Sequence, residues 1–476
     1  MSLARWFGAV YLTSIVGLAA ISSAQAAKPE AIDDRLELFV DRHLIESITG
    51  AELRLHSPRP AEIALKFDAP WERAYSGYVT VFRDGDKVRM YYRGWPAIDG
   101  DKKSPQFACL AESSDGRTFT RPQLGLFEYD GSKANNIVYG NPSHNFTPFK
   151  DTRPGCPDDE RYKAVQTFKS TTGLGGLAAY VSADGIHWRQ LGDTPVMTKG
   201  AFDSQNLAYW DEAKQEYRCY YRIFINKVRA VAVATSQDFR TWSDPTPIDL
   251  GDTPAEHFYT NATTPYFRAP HYYFSFPKRF QPTRSRLEGH KEKGISDGVF
   301  LSSRDGIHFD RTFLEAFIRP GRDQHSWGDR SNMTAWGLIQ TGPDEMSLYY
   351  SQNYRYPDHH MRRGVLRLDG IASLHAGAKP GELVTKPITF KGDQLVLNYA
   401  TSAAGSVQIE LQDAAGKPLP GFTLDDAPEL YGDQIAEPYR WKSDASLAKL
   451  ADEPIRIRFV VRDGDVYSYR FAAETK

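Results

Sequence analysis

Short apolar runs, some alternating with polar residues and some continuous, fill the chain from about residue 36 to residue 471, and none repeats at helical spacing. Gly77 to Phe82 and Val88 to Tyr92 flank an Asp84-Gly85 turn, and Phe107 to Glu112 follows them. Apolar runs separated by tight-turn residues predict hairpins and an all-β chain. A longer pattern overlies the short one. Ser113-x-Asp115 runs to Phe119, Ser182-x-Asp184 to Trp188, Ser236-x-Asp238 to Trp242 and Ser303-x-Asp305 to Phe309, each copy placed after an apolar run. Ser and Asp side chains hold turns by bonding nearby backbone, and the aromatic then opens the next strand.

Recurrence every 50 to 70 residues or so, with several strands per period, predicts the blades of a β-propeller. Five such groups of strands fall in residues 70–375, after a leader at 1–26 and an extension at 27–69. Ala376 to Gly381 then reads as a linker. Leu395 to Tyr399, Ser406 to Leu411, Ile455 to Val461 and Tyr467 to Phe471 read as strands of a C-terminal β-sandwich, residues 380–476, with turns at Gly392-Asp393, Ala404-Gly405 and Asp463-Gly464.

Composition narrows the function classes. A formal net charge of −2 and the lack of a basic run argue against nucleic acid as a partner. Arg5, the apolar stretch Trp6 to Ile21 and Ala24-Gln25-Ala26 form a secretory signal peptide cut after Ala26, too short to span a bilayer. The expected product is a secreted or periplasmic monomer, free of the membrane after cleavage. Three cysteines, Cys109, Cys156 and Cys219, make neither a disulfide framework nor a thiolate metal site. His359-His360 reads as part of a loop, since neighbours on a strand point to opposite faces. No metal site and no cofactor motif is expected. Aromatic residues at 13 % suit both sheet packing and sugar stacking.

Polar residues gather where each blade's inner strand should begin: Glu72, Arg73 and Tyr75; Asp151 and Arg153; Asp203 and Asn206; Glu256, His257, Tyr259 and Asn261; His325, Trp327, Asp329 and Arg330. Inner strands of a propeller converge, so these groups are expected to meet in one pocket with Asp151, Asp203 and Glu256 on its wall. Asp329-Arg330 also reads as a plain ion pair, and each polar group as a cap on a strand end.

An exported propeller and sandwich with these hairpins resembles the family 32 and family 43 glycoside hydrolases. The resemblance implies one carboxylate from the inner strand of each of the first three blades. Phe149-Lys150-Asp151 is similar to that group's Arg-Asp-Pro element, with Asp151 as transition-state stabiliser. Asp203 stands where the group has Glu, and Glu72 is the carboxylate nearest the first-blade position. Hydrolysis of a plant or algal polysaccharide or oligosaccharide is the function so implied. A uronate lyase, with His257 and Tyr259 moving a proton and Arg73 or Arg330 neutralising a carboxylate, is the alternative enzyme, and a glycan-binding propeller without chemistry the third reading. Arg73, Arg153, Arg330 and His257 together predict an anionic saccharide.

Overall fold

The computed structural model describes residues 28–98, 101–140, 142–169, 175–289, 292–443 and 445–474. The expected leader, residues 1–26, lies outside them. The described residues form strands and three short 3-10 helices, with no α-helix among them.

Five four-stranded antiparallel sheets follow one another along the chain. The first joins Gly77–Asp84, Lys87–Gly94, Phe107–Ser113 and Ile137–Tyr139. The second joins Thr147–Lys150, Tyr162–Lys169, Gly175–Ser182 and Arg189–Gln190, and the third Leu207–Asp211, Glu216–Ile225, Val228–Ser236 and Thr246–Pro247. Thr264–Tyr266, Ala269–Ser275, Leu301–Ser303 and Phe309–Asp310 make the fourth. Beside it lies a three-stranded sheet of His257–Phe258, Lys278–Gln281 and Ile295–Gly298. The fifth takes Ile339–Gln340, Glu345–Gln352 and His360–Arg367, and its outer strand is Arg59–Lys66. The expected boundary at residue 70 therefore moves: part of the segment read as an extension completes the last sheet. His360, expected in a loop, opens a strand of that sheet.

The four Ser-x-Asp copies form one and the same turn. In each, the Ser hydroxyl donates to the Asp carboxylate at 3.0–3.1 Å and accepts from the backbone N–H three residues on at 2.9 Å. The residue at that third position has positive φ, Gly116, Gly185 and Gly306 in three copies and Phe239 (φ 64°) in the other. Glycine is needed there for space as well: a Cβ on Gly185 would lie 2.5 Å from the Tyr91 hydroxyl. That hydroxyl belongs to the preceding sheet and donates to Gly185 O at 2.9 Å. Tyr220 of the third sheet donates likewise to Gly306 O at 2.8 Å, and Tyr349 of the fifth to Gly116 O. Each repeat turn so bonded is a docking point for the sheet before it, and the fifth sheet docks on the first.

The opening strands of the first three sheets lie side by side. Thr80 of the first pairs in parallel with Trp336, at the entry to the fifth. The Trp336 indole donates to Thr263 O at 2.9 Å, beside the fourth, and its ring stacks on Tyr209 of the third at 6.1 Å.

The remaining strands form one ten-stranded sheet, which the C-terminal segment shares with N-terminal strands Glu30–Asp33, Glu37–Leu38, Ile45–Thr49 and Glu52–Leu55. Ala372–Ala376, read as the edge of the blade region, and Gly381–Thr385, read as the start of the last domain, both belong to it. Its spine is two long strands, Gln394–Asp413 and Ile455–Ala472. The expected turns at Ala404-Gly405 and Asp463-Gly464 do not end strands; they mark a register shift between Thr401 and Ser406 where the pair bends. Bulges bend a ladder without breaking it, so alternation on either side reads as separate strands in sequence. Leu395, Leu397, Val407, Ile409, Phe459 and Phe471, from both sides of the bend, share one buried cluster.

Candidate active site

A cavity of about 960 Å³ opens where the first strands of the sheets begin. Tyr78, His144, Asp203, Tyr259 and Arg330 line it, each from the segment that leads into or opens a different sheet. Trp95, Phe127, Tyr139, Phe168 and Tyr180 supply an aromatic wall.

Local backbone geometry places these groups. The ladder of the first sheet shifts register between Gly77 and Thr80, and Tyr78 there adopts φ 53°, so the bulge turns its ring into the cavity. The Arg93 guanidinium lies behind it, 4.6 Å from the Tyr78 ring and 4.8 Å from the Trp95 ring, donating to Tyr75 O at 2.7 Å. The His144 ring is held at Nδ1 by Gln106 (2.7 Å) and at Nε2 by the Asp203 carbonyl (3.2 Å). Below it, Asn145 donates to Phe202 O at 2.6 Å and Ser204 O at 2.5 Å, tying the second and third sheet entries together.

Tyr259 sits among cations. Arg222 lies 5.3 Å, Arg330 5.5 Å and Arg229 5.7 Å from its ring centroid, and the Lys278 side-chain nitrogen, which burial draws well below the ordinary lysine range, 3.9 Å. The Tyr78 hydroxyl on the same lining donates to Asp203 O at 3.4 Å. Burial opposes ionisation of the Tyr259 phenol, but Arg330, the neighbouring Tyr78, Arg222 and Arg93 together draw it below the ordinary tyrosine range. Burial and the neighbouring Tyr259 push the Tyr78 phenol up. Arg222 also pairs with Asp203, whose side chain is 72 % exposed and is the single carboxylate on the cavity lining among the described residues.

Of the sequence-expected residues, Asp203, Tyr259 and Arg330 meet here, and the other three proposed carboxylates do not. Glu72 is wholly buried, accepting from the Tyr92 hydroxyl at 2.5 Å and from Arg121 at 2.7 and 2.9 Å. Burial lifts its carboxyl above the usual range despite Arg121, yet its side chain is packed inside the first sheet's core. Asp151 follows the far end of its strand. It accepts from Lys163 at 2.7 Å and Tyr217 at 2.6 Å, which hold its carboxyl below the usual range against burial. Two sheet neighbours repeat the arrangement: Asp84 accepts from Tyr162 at 2.7 Å and Asp211 from Tyr273 at 2.5 Å. Asp151 is thus one of a set of clamps in which an Asp ending one sheet's first strand binds a Tyr of the next sheet. Glu256 is paired with Arg279 (3.1 Å) and Arg311 (2.7 Å).

The remaining expectations divide in the same way. Tyr75 is buried against Trp95 and Tyr354, and Arg153 donates to the Tyr217 hydroxyl at 2.9 Å. Asn206 and Asn261 are buried and bonded to backbone carbonyls. His257 accepts from Arg229 N at 3.2 Å, and burial with Arg229 lowers its pKa. His325 stacks on Tyr356 at 3.8 Å, and the Trp327 indole donates to Gly321 O at 3.0 Å. Asp329 binds Arg355 through both oxygens at 2.9 and 3.1 Å. Neither these residues nor the exposed Arg73 line the cavity. Sequence reading missed Tyr78, Trp95, His144 and Arg222. The Ser-x-Asn repeat of Ser143-His144-Asn145 and Ser204-Gln205-Asn206, which marks two of the sheet entries, was a signal for His144.

No family model matches the chain, and no curated protein matches it in sequence. Among solved structures it is similar to BT0996 in its RGII complex at a TM-score of 0.46 and 14 % identity, over 65 % of this protein and 92 % of that one. Beta-1,2-mannobiose phosphorylase from Listeria innocua gives 0.44 and 13 %, over 67 % and 95 %. The Bombyx mori GH32 beta-fructofuranosidase BmSUC1 gives 0.42 and 11 %, over 88 % and 95 %. What its cavity can do follows from its own residues. Among the described residues there is no cluster of His, Cys, Asp and Glu able to hold a metal ion, and no helix long and apolar enough to cross a membrane.

Proposed function

We propose that this protein is an exported carbohydrate-active enzyme that cleaves a glycosidic bond in an anionic saccharide, within a five-bladed propeller capped by a β-sandwich. The observation that carries the reading is the make-up of the cavity: an aromatic wall for sugar rings, Arg330 and His144 on the lining, and one carboxylate already paired with Arg222. Hydrolysis by paired carboxyls needs a protonated acid and a second carboxylate on opposite sides of the bond. Asp203 alone supplies neither pair nor separation. A cluster of cations with a phenol and an imidazole instead favours elimination beside a uronate, in which the arginine neutralises the sugar carboxylate and no water is consumed.

The test is the product. Wild-type protein incubated with polygalacturonate, alginate, glucuronan and a neutral arabinan should release unsaturated, ultraviolet-absorbing uronide from at least one acidic polymer. Arg330→Ala should lower kcat/KM on that polymer by roughly a hundredfold or more, the loss of a charge-assisted contact with a buried partner. Raised salt should reproduce part of that loss. New reducing ends without ultraviolet absorption, equal on neutral and acidic polymers, would return the neutral-glycan hydrolase with Asp203 as its acid or base.

A further inference from the structure

Resting on that reading, we propose that Tyr259 is the proton-abstracting base of the cavity, with Tyr78 as its relay partner and Arg222 as the positioning residue that holds it ready. Tyr259 follows the short strand His257–Phe258, and its N–H donates to Lys278 O at 2.9 Å, which fixes the backbone from which the phenol projects. Arg222 lies 5.3 Å and Arg330 5.5 Å from its ring centroid, and the Tyr78 hydroxyl, which lines the same cavity, donates to Asp203 O at 3.4 Å. Both phenols line the cavity, so a sugar carbon seated there can approach them.

The chemistry balances within these groups. Phenolate Tyr259 takes the proton from the ring carbon next to the uronate carboxylate. The carbon–hydrogen pair becomes the new carbon–carbon double bond, and the adjacent carbon–oxygen glycosidic bond breaks. The leaving oxygen receives the proton back through the Tyr259 and Tyr78 hydroxyls, so no external acid, oxidant or water is needed. Arg330, also on the lining, faces the growing charge on the substrate carboxylate.

Arginines outnumber carboxylates around the Tyr259 phenol. Arg222, Arg330 and Arg229 lie over the Tyr259 ring and Arg93 over the neighbouring Tyr78 ring. Lys278, 3.9 Å from the Tyr259 ring, is drawn toward its neutral form by burial. Asp203, paired with Arg222, and Asp329, paired with Arg330 at 3.4 Å, oppose ionisation. His257, two residues away, is turned to the Arg229 backbone.

Two variants test the assignment on the acidic polymer that gives unsaturated product. Tyr259→Phe should lower kcat about a thousandfold with KM within a few-fold, the range of general-base loss. It should also abolish the earliest step in a near-ultraviolet titration of phenolate. Arg222→Met keeps the phenol and should move both that step and the rising limb of the pH–rate profile to higher pH. Tyr259→Phe that keeps kcat within tenfold while still making unsaturated product overturns the base assignment and leaves the proposed function standing. An Arg222→Met profile that does not move overturns the positioning role. Failure of wild-type protein to make unsaturated product from any acidic polymer removes the proposed function and this assignment with it.

Discussion

The two ends of the sheets' opening strands are built from similar residue types to opposite effect. At the far end, Asp84, Asp151 and Asp211 each bind a tyrosine of the next sheet and a cation: Lys150 at 2.6 Å, Lys163 at 2.7 Å and Arg218 at 3.0 Å respectively. Charge there is cancelled within the protein. At the near end tyrosines again face cations, but the carboxylates sit with the cations and not with the tyrosines: Asp203, exposed, pairs with Arg222, and the buried Asp329 with Arg330 at 3.4 Å and Arg355 at 2.9 Å. Arg330 and Tyr259 are left addressing the cavity. The difference teaches that a Tyr–cation–Asp set is a structural clamp when the Asp binds the tyrosine directly, and becomes a candidate site for an outside acid when the tyrosine and the arginine line a cavity instead.

The contrast can be broken most sharply at Asp151. Asp151→Asn removes the nearest carboxylate from the buried Lys163 ammonium and leaves it Glu160 at 3.7 Å, so unfolding free energy should fall by about 3 kcal/mol, measured in urea. Turnover per folded molecule should hold. Asp203→Asn should do the converse, changing stability by less than about 1 kcal/mol because its carboxylate is 72 % exposed, while altering turnover. If Asp151→Asn removes turnover without loss of stability, the far end is the site.

A second, smaller effect lies in acid. Burial opposes ionisation of Asp329, but Arg355 outweighs it and draws the carboxyl down to about 2. A carboxyl depressed on folding stabilises fully above its unfolded value and loses that contribution as pH falls through its folded one. About 2 kcal/mol should therefore vanish between roughly pH 4 and pH 2, and urea melts of Asp329→Asn should lack this part of the decline. Asp84 and Asp151 are also depressed, so the wild-type decline should be steeper than Asp329 alone gives.

The smallest expected change tests the docking turns. Gly306→Ala places a Cβ 2.5 Å from the Tyr220 hydroxyl, whereas Gly125→Ala, at a similar positive φ, meets nothing within 4 Å. Both should cost about 1 kcal/mol for the backbone, and Gly306→Ala about 1 kcal/mol more, read as a difference in thermal midpoint.

Much of this was legible in the chain. The Ser-x-Asp turns were readable because one local hydrogen-bond pattern demands those side chains at fixed offsets, and four copies made the period visible. Tyr259 and Arg330 were found because they stand at sheet entries. Asp151 was misplaced because sequence does not say which end of a short strand faces the cavity, and Lys150-Asp151 looks alike at either. Arg222 stayed hidden because it is one of two arginines in a tyrosine-rich strand, Glu216–Ile225, and sequence does not say that Arg218 serves the far-end clamp while Arg222 lies by Tyr259. The N-terminal strands were taken as an appendage because a pairing partner hundreds of residues away leaves no local mark.

That last pairing governs how the molecule must assemble. Arg362 donates to Ala61 O at 2.9 Å across a sequence separation of 301 residues, inside the ladder that joins Arg59–Lys66 to His360–Arg367. A contact of that range adds its loop-closure entropy before any gain returns, so it belongs among the late events of folding. Until then the early-made strand waits as an unpaired edge, open to the equivalent strand of another nascent chain. Refolding yield should accordingly fall with protein concentration, and a peptide of residues 59–66 added in trans should compete for the gap.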